Sequence, residues 1–432
     1  MSGLYSPGAF RALRHRNFRL FFIGQGISLV GTWMQIIAQS WLVYRLSGSV
    51  ALLGTIGFAS RLPSLLSPFT GVLADRFDRY RLMLVTQALS MAQAVALAWL
   101  VLDGRIQVWH VFVLGTGLGL INAFDIPVRQ SAVTAMIDDP QDLPNAIALN
   151  STMFNGARLL GPALAGALVA WLGEGWCFGL NALSFVAVII SLSLMRLPKL
   201  EPDPQRRGSL HAFREGWAYV SGRLPLSRLL LLLSVTSLAG MSYQVLMPVF
   251  AKDVLHGGAQ TQGQLISAVG LGSLVGALLM AHRKGLDGLG RQVAFGSVAF
   301  GLCLAAFSLS HSFWLSWGLL AVMGFFMMLQ MTGNNTLLQS LAEERLRGRV
   351  MGFQALAFMG TMPFGNLLAG ALAARFGPQA TLVGGGLVCS AAGVVFWLGL
   401  PRFHAEADPV LERHAAQARP EGGPLRAAEA TL

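Results

Sequence analysis

Apolar runs of near-bilayer length recur along the whole chain, each closed by a short charged or turn-forming stretch, and this recurrence constrains the fold more than any single motif. The run from Ala51 to Ala74 holds one charge, Arg61, and the run from Leu82 to Leu102 holds none. A helix crosses the hydrocarbon with about 20 residues, so both runs read as spanning helices. Asp75, Arg76, Arg79 and Arg81 between them then lie at a membrane face. The same reading along the chain gives twelve spans, at 18–44, 50–74, 80–102, 107–127, 146–171, 176–196, 228–250, 262–282, 291–309, 313–335, 350–374 and 379–400. With 54% hydrophobic and 12% charged residues, and a mean hydropathy of +0.58, the chain is an all-α membrane protein rather than a soluble globule. Its 50 glycines would weaken soluble helices, but in lipid they allow helices to pack closely.

The net charge of +11 is spread over short loops between spans rather than gathered on one face. That pattern points to anionic lipid headgroups as the partner and away from nucleic acid. Placing the N-terminus inside puts Arg11, Arg14, Arg16 and Arg19, the 76–81 cluster, Arg129, the basic residues of 196–228, Arg283, Lys284, Arg291 and the 345–349 cluster on one side. Only Arg45, Arg105, Lys252 and Arg375 fall on the other. This asymmetry predicts that both termini are cytoplasmic. No cleavable signal is visible, because polar and basic residues through Arg19 precede a long apolar run that is expected to stay as a helix.

Four regions emerge. Residues 1–196 form an N-terminal six-helix bundle, 197–227 a cytoplasmic linker rich in Pro and charge, 228–400 a C-terminal six-helix bundle and 401–432 a disordered tail. Within the linker, 211–220 fits either a short amphipathic helix on the membrane surface or a solvated loop. An internal repeat supports the two halves. GPALAGALVAWLG at 161–173 aligns with GNLLAGALAARFG at 365–377, matching Gly161 with Gly365, Gly166 with Gly370 and Gly173 with Gly377.

An enzyme lacks its parts. Cys177, Cys303 and Cys389 are far apart, no Walker A sequence occurs, and His110, His256 and His311 sit near outer ends without a helically spaced acid. No metal or cofactor is expected. The Gly-rich stretches at 114–119 and 270–276 read as helix packing surfaces.

Twelve spans, the six-plus-six repeat and the loop GVLADRFDRYR at 71–81 together resemble the major facilitator superfamily. The loop matches that family's Gly-x-Leu-x-Asp-Arg-x-x-x-Arg motif at Gly71, Leu73, Asp75, Arg76 and Arg79 or Arg81. GQGISLVGTWMQ (24–35), FDIPVRQSAV (124–133), LPNAIALN (143–150) and GARLLGP (156–162) look like the bacterial branch that includes enterobactin exporters and macrolide efflux proteins. The fifth span is similar to the antiporter motif through Gly161, Pro162 and Gly166, with Ala165 in place of one glycine. Two departures stand out. Val113 occupies the position where the fourth-span motif has an arginine, and the second-half counterpart of the loop motif (Gly276, Met280, His282, Arg283, Lys284) has no acid.

The resemblance implies two pseudo-symmetric six-helix bundles around a central cavity, monomeric in a bacterial inner membrane, and export of a small-molecule substrate with protons as the coupling ion. It implies a conformational latch at Gly71, Asp75, Arg76 and Arg79, with Asp125 and Arg129 as its partners if the fourth helix runs through Pro127. Proton carrying by Asp125 is the alternative. Arg61 and Arg158 are cations at mid-membrane depth, costing roughly 2.5–3.5 kcal/mol each on an insertion scale. They either face a watery seam between the halves or are paired structurally. Gln35, Gln39, Tyr243, Gln244 and Asn335 (with Asn334) are polar candidates for the substrate pathway, with interhelical hydrogen bonding as the competing role. Siderophores and hydrophobic antibiotics are the expected substrates. Lysophospholipid flipping and nutrient uptake remain alternatives.

Overall fold

A computed structural model of the chain describes residues 10–67, 70, 78–195, 209–283 and 285–417. Among these residues the protein is helical throughout. Eleven helices are long and apolar enough to cross a membrane, and Val50–Leu66 is a shorter apolar one. In chain order the helices are α1 (Arg16–Ser47), α2 (Val50–Leu66), α3 (Arg79–Leu102), α4 (Val108–Ala135), α5 (Leu143–Leu172) and α6 (Glu174–Leu194). After α7 (Ser209–Ser221) come α8 (Leu224–Val254), α9 (Ala259–His282), α10 (Leu289–Leu309), α11 (Phe313–Leu341), α12 (Arg347–Phe376), α13 (Pro378–Leu398) and α14 (Leu400–Gln417).

Local chemistry sets several boundaries. Asp78 starts α3 by accepting hydrogen bonds from the backbone N–H groups of Tyr80 and Arg81 at 2.9 and 3.2 Å. The fifth helix of each half ends on a glycine with positive φ, Gly173 at 86° and Gly377 at 87°. This conformation strains any residue with a Cβ, so the last matched glycine of the repeat marks the same turn twice. In α2 the α-helix stops at Arg61 and tightens into a 3₁₀ turn over Leu62–Leu66, where Pro63 lacks the N–H needed to continue the ladder. Helix α4 does run through Pro127, so Asp125 and Arg129 share a face.

The two bundles meet along a seam, α2 packing on α12 and α5 on α9. We call the face where α1 begins proximal and the face where it ends distal. Several seam contacts lie toward the distal face. A Cβ on Gly54 would stand 2.7 Å from the Gly370 Cα, and one on Gly263 would stand 2.9 Å from the Gly166 Cα. These two crossings are equivalent under the repeat, and each needs the bare backbone of both partners. The Tyr44 hydroxyl donates to the Asp253 carboxylate, and the Gln262 amide donates to Ser40 Oγ at 2.8 Å.

Two expectations need correction. The sequence predicts a linker that reaches residue 227 and a tail that is disordered from 401. Instead α7 lies against the C-terminal bundle, with Phe213 and Trp217 ring centroids 5.0 and 5.9 Å from that of Phe353, and α8 begins at Leu224. Helix α14 continues to Gln417 because Leu400, Phe403 and Ala407, one turn apart, are buried against the same bundle. Residues 196–208 and 418–432 lie outside the described residues.

Candidate functional site

A cavity of about 270 Å³ opens on the seam. Its N-terminal wall is built by α1, α2 and α4, and its C-terminal wall by α8, α9 and α12, through Gln244, Val245, Ile266, Met359, Met362 and Asn366. Three of the helices facing it, α2, α8 and α12, are irregular. Beside the 3₁₀ turn of α2, α8 carries π-helical turns at Thr236–Gly240 and Phe250–Val254 and α12 one at Leu356–Gly360. Such turns release backbone groups from the regular ladder and are characteristic of sites that bind or bend.

Of the residues singled out in the sequence, Arg61, Gln35, Gln39 and Gln244 line the cavity. Gln35 is already engaged, donating to Gln93 Oε1 at 3.0 Å and accepting from Asn181 Nδ2 at 2.7 Å, so its amide braces α1 against α3 and α6. Among the described residues the Gln244 amide group makes only a long contact, 3.4 Å, with the Tyr243 hydroxyl. Tyr243 is fully buried and stands outside the lining. Asn335 also lies away from the cavity and accepts from Gln339 within α11.

The two embedded arginines have different surroundings. Arg61 lines the cavity, and among the described residues its guanidinium has no hydrogen bond or ion pair. Arg158 does not line it. Its guanidinium sits 6.0 Å from the Trp33 ring centroid and, across the seam, 3.8 Å from Met327 Sδ. At 9% exposure it is held by a π face and a polarisable sulfur.

Asp125 is 3% exposed and accepts from Thr86 Oγ1 and Gln87 Nε2, both at 2.8 Å. Arg129 Nη1 lies 3.7 Å from its second oxygen. Gly71, Asp75 and Arg76 lie outside the described residues, as does the side chain of Arg79. The motif around Gly161 is a crossing point. A Cβ there would stand 2.5 Å from the Trp33 Cβ, while Pro162 lies inside the continuous α5 and Gly166 meets α9.

The sequence reading passes over Asn122, Ser60, Ser64 and Asn366, all in the lining. Asn366 carries a signal. It occupies the repeat position of Pro162, and its amide donates to the Gly57 carbonyl across the seam at 3.3 Å. The Tyr44 to Asp253 bond carries none, since its partners are 209 residues apart.

Residues 7–422 match the family described as transmembrane secretion effector. The staphyloferrin A transporter of Staphylococcus aureus is 25% identical over 370 residues, covering 83% of this chain and 90% of that protein. The enterobactin exporter EntS of Citrobacter koseri is 26% identical over 421 residues, 95% and 96% of the two chains. The multidrug efflux pump Tap of Mycolicibacterium fortuitum is 26% identical over 375 residues, 84% and 91%. Among solved structures, a bacterial homologue of the human lysosomal transporter Spinster, in an inward-facing and occupied conformation, superposes with a TM-score of 0.73 at 12% identity, covering 92% of this chain and 99% of that one. A D-xylose–proton symporter gives 0.68 at 14% identity, with coverage of 88% and 97%.

Proposed function

The chain belongs to the transmembrane secretion effector family within the major facilitator superfamily, and from that premise we propose that it exports an amphipathic small molecule, siderophore-like or drug-like, across a bacterial inner membrane by alternating access. The reading is carried by one observation. The cavity is walled by both bundles, while among the described residues the hydrogen bonds that join the bundles lie at its depth or distal to it. With the termini cytoplasmic, as the arginine and lysine distribution indicates, the proximal face is the inner one. Cargo enters from the cytoplasm, and rocking of the bundles about the midplane closes the proximal end and parts the glycine crossings.

Proton antiport is the energy source this reading adopts. The monomer is its working unit, with anionic lipid around the basic loops. Accumulation of siderophores, antibiotics and lysolipids in a deletion strain and its complemented parent tests the proposal. Loss of efflux of one compound class is expected, with efflux stopped by an ionophore that collapses the proton gradient. Equal accumulation of every compound in the two strains would reject export, and accumulation lower in the deletion strain would mean uptake.

A further inference from the structure

We propose that the molecule carried is an amphipathic anion whose acidic group is received by the Arg61 guanidinium, an inference that rests on the seam cavity being the transport site. Arg61 is the one ionisable side chain in the described lining, which holds no carboxylate. The same wall carries polar atoms without partners among the described residues, namely the hydroxyls of Ser60 and Ser64, one residue before Arg61 and three after it, and Asn366 Oδ1 across the seam. The remainder of the wall is largely apolar, with Ile56, Ile266 and Met362 facing in from three helices. A charged head set against an apolar body is the chemistry this wall accepts.

Alternating access makes the charge consequential. While the proximal end is open, water can solvate the guanidinium. When both ends close that water is lost, and an uncompensated cation in an apolar enclosure is strongly disfavoured. An acidic group on the cargo supplies a bidentate, charge-assisted partner at that moment. The loaded carrier therefore occludes more readily than the empty one, so transport is tied to cargo. A cationic molecule would double the charge in the cavity and be excluded.

The test uses three isosteric probes of charge −1, 0 and +1, namely 1-naphthoate, 1-naphthamide and 1-naphthylmethylammonium. Each is titrated calorimetrically at neutral pH into the purified full chain in an uncharged detergent. Naphthoate should bind at least about tenfold more tightly than naphthamide, the size of one charge-assisted hydrogen-bonded contact, and the ammonium should bind most weakly. Arg61→Gln should bring naphthoate to within about twofold of naphthamide. Arg61→Lys, which keeps the charge but loses the planar fork, should fall between; it serves if the glutamine variant does not fold. Equal binding of naphthoate and naphthamide by the unaltered protein would overturn the proposal. So would a charge preference that survives Arg61→Gln or is unaffected by Arg61→Lys, or failure of all three probes to bind at millimolar concentration. Displacement of naphthoate by lysophosphatidylglycerol would admit a lipid anion as cargo, and failure to displace would restrict the site to soluble anions; both agree with the assignment. Arg61-dependent anion binding without efflux in cells would reject the transport reading and keep the site. Efflux without charge discrimination would do the reverse.

Discussion

The two ends of the molecule are held together by different kinds of contact. At the distal end the bundles touch each other, through two glycine crossings, the Tyr44 to Asp253 bond and the Lys252 ammonium 5.4 Å over the Tyr44 ring. Among the described residues, the ion pairs at the proximal end each fall within one bundle. In the N-terminal half, Arg14 binds Asp142 and Asp139, each at 2.8 Å, and His15 lies 3.0 Å from Asp142, so the segment before α1 clasps the loop between α4 and α5. In the C-terminal half, Glu215 on α7 pairs with Arg345 at 2.9 Å and with Arg349, clasping the loop between α11 and α12. The repeat thus places a clasp at the same point of each half with the charges exchanged. Cross-seam contacts must break when a carrier turns over, whereas clasps within a bundle can persist through the cycle. Altering the first kind should change conformation, and altering the second should change stability.

The sharpest way to break this distinction is Gly370→Leu. The new side chain has no room against Gly54, and overpacking of this kind costs about 1–3 kcal/mol. That cost falls on the distal-closed state alone. Export should drop about tenfold or more, and crosslinking between cysteines placed at Tyr44 and Asp253 should fall in step, while abundance stays near normal. Background labelling is low because Cys177 and Cys389 are buried and Cys303 is half-buried. Full crosslinking in the leucine variant would show that this crossing does not hold the distal end shut.

Much of this arrangement was legible in the sequence. Span lengths and the glycines matched by the repeat required only counting, and Gly166 and Gly370 mark the two seam crossings because close helix approach demands residues without side chains. Arg61 and Arg158 both stood out as embedded charges. Insertion cost alone, however, cannot separate a cation that lines a cavity from one laid against Trp33. Helices α7 and α14 are hard to read because their apolar positions are diluted by charge, and in α14 also by Pro401 and Pro409, and only the bundle surface beneath them supplies the burial that orders them. The π-helical turns of α8 and α12 leave no mark on composition or period. Cross-seam partners such as Tyr44 and Asp253 belong to separate bundles, with no local pattern joining them.

Asp75→Asn sharpens the comparison from the other side. If the loop motif ties the proximal end in the distal-open state, the variant should slow export severalfold at normal abundance and leave the Tyr44 to Asp253 crosslink intact or enhanced. Unchanged transport kinetics would remove the loop from the cycle. Tyr44→Phe should act in the opposite sense and more weakly. It deletes one hydroxyl donor to a carboxylate that is itself exposed, worth about 1 kcal/mol after solvent screening, or about a fivefold shift toward the distal-open state. Spin-label distances across the distal end would register the shift, and an unaltered distance distribution would reduce the bond to a bystander.

The smallest effect on transport is expected at the clasp, from Glu215→Gln. The hydrogen bond from Arg349, opposed by partial desolvation and aided by the charges of Arg349 and Arg345, holds the Glu215 carboxyl below its usual range. A carboxyl lowered in the folded state stabilises that state fully above its unfolded pKa and loses its contribution as pH falls through the folded value. The clasp is therefore intact at neutral pH and released only in acid. Solvent screening keeps exposed ion pairs weak, so the variant should lower the melting temperature by no more than a few degrees at neutral pH, with export changed less than about twofold. As the pH is lowered through the carboxylate range, the melting curves of the variant and the unaltered protein should converge, because protonation removes from the latter what the substitution removes from the former. The absence of any gap at neutral pH would mean that α7 is held by Phe213, Trp217 and Phe353 rather than by charge. A large export defect at neutral pH would mean that this clasp opens during turnover, as the distal contacts do, and does not belong to the parts that stay fixed.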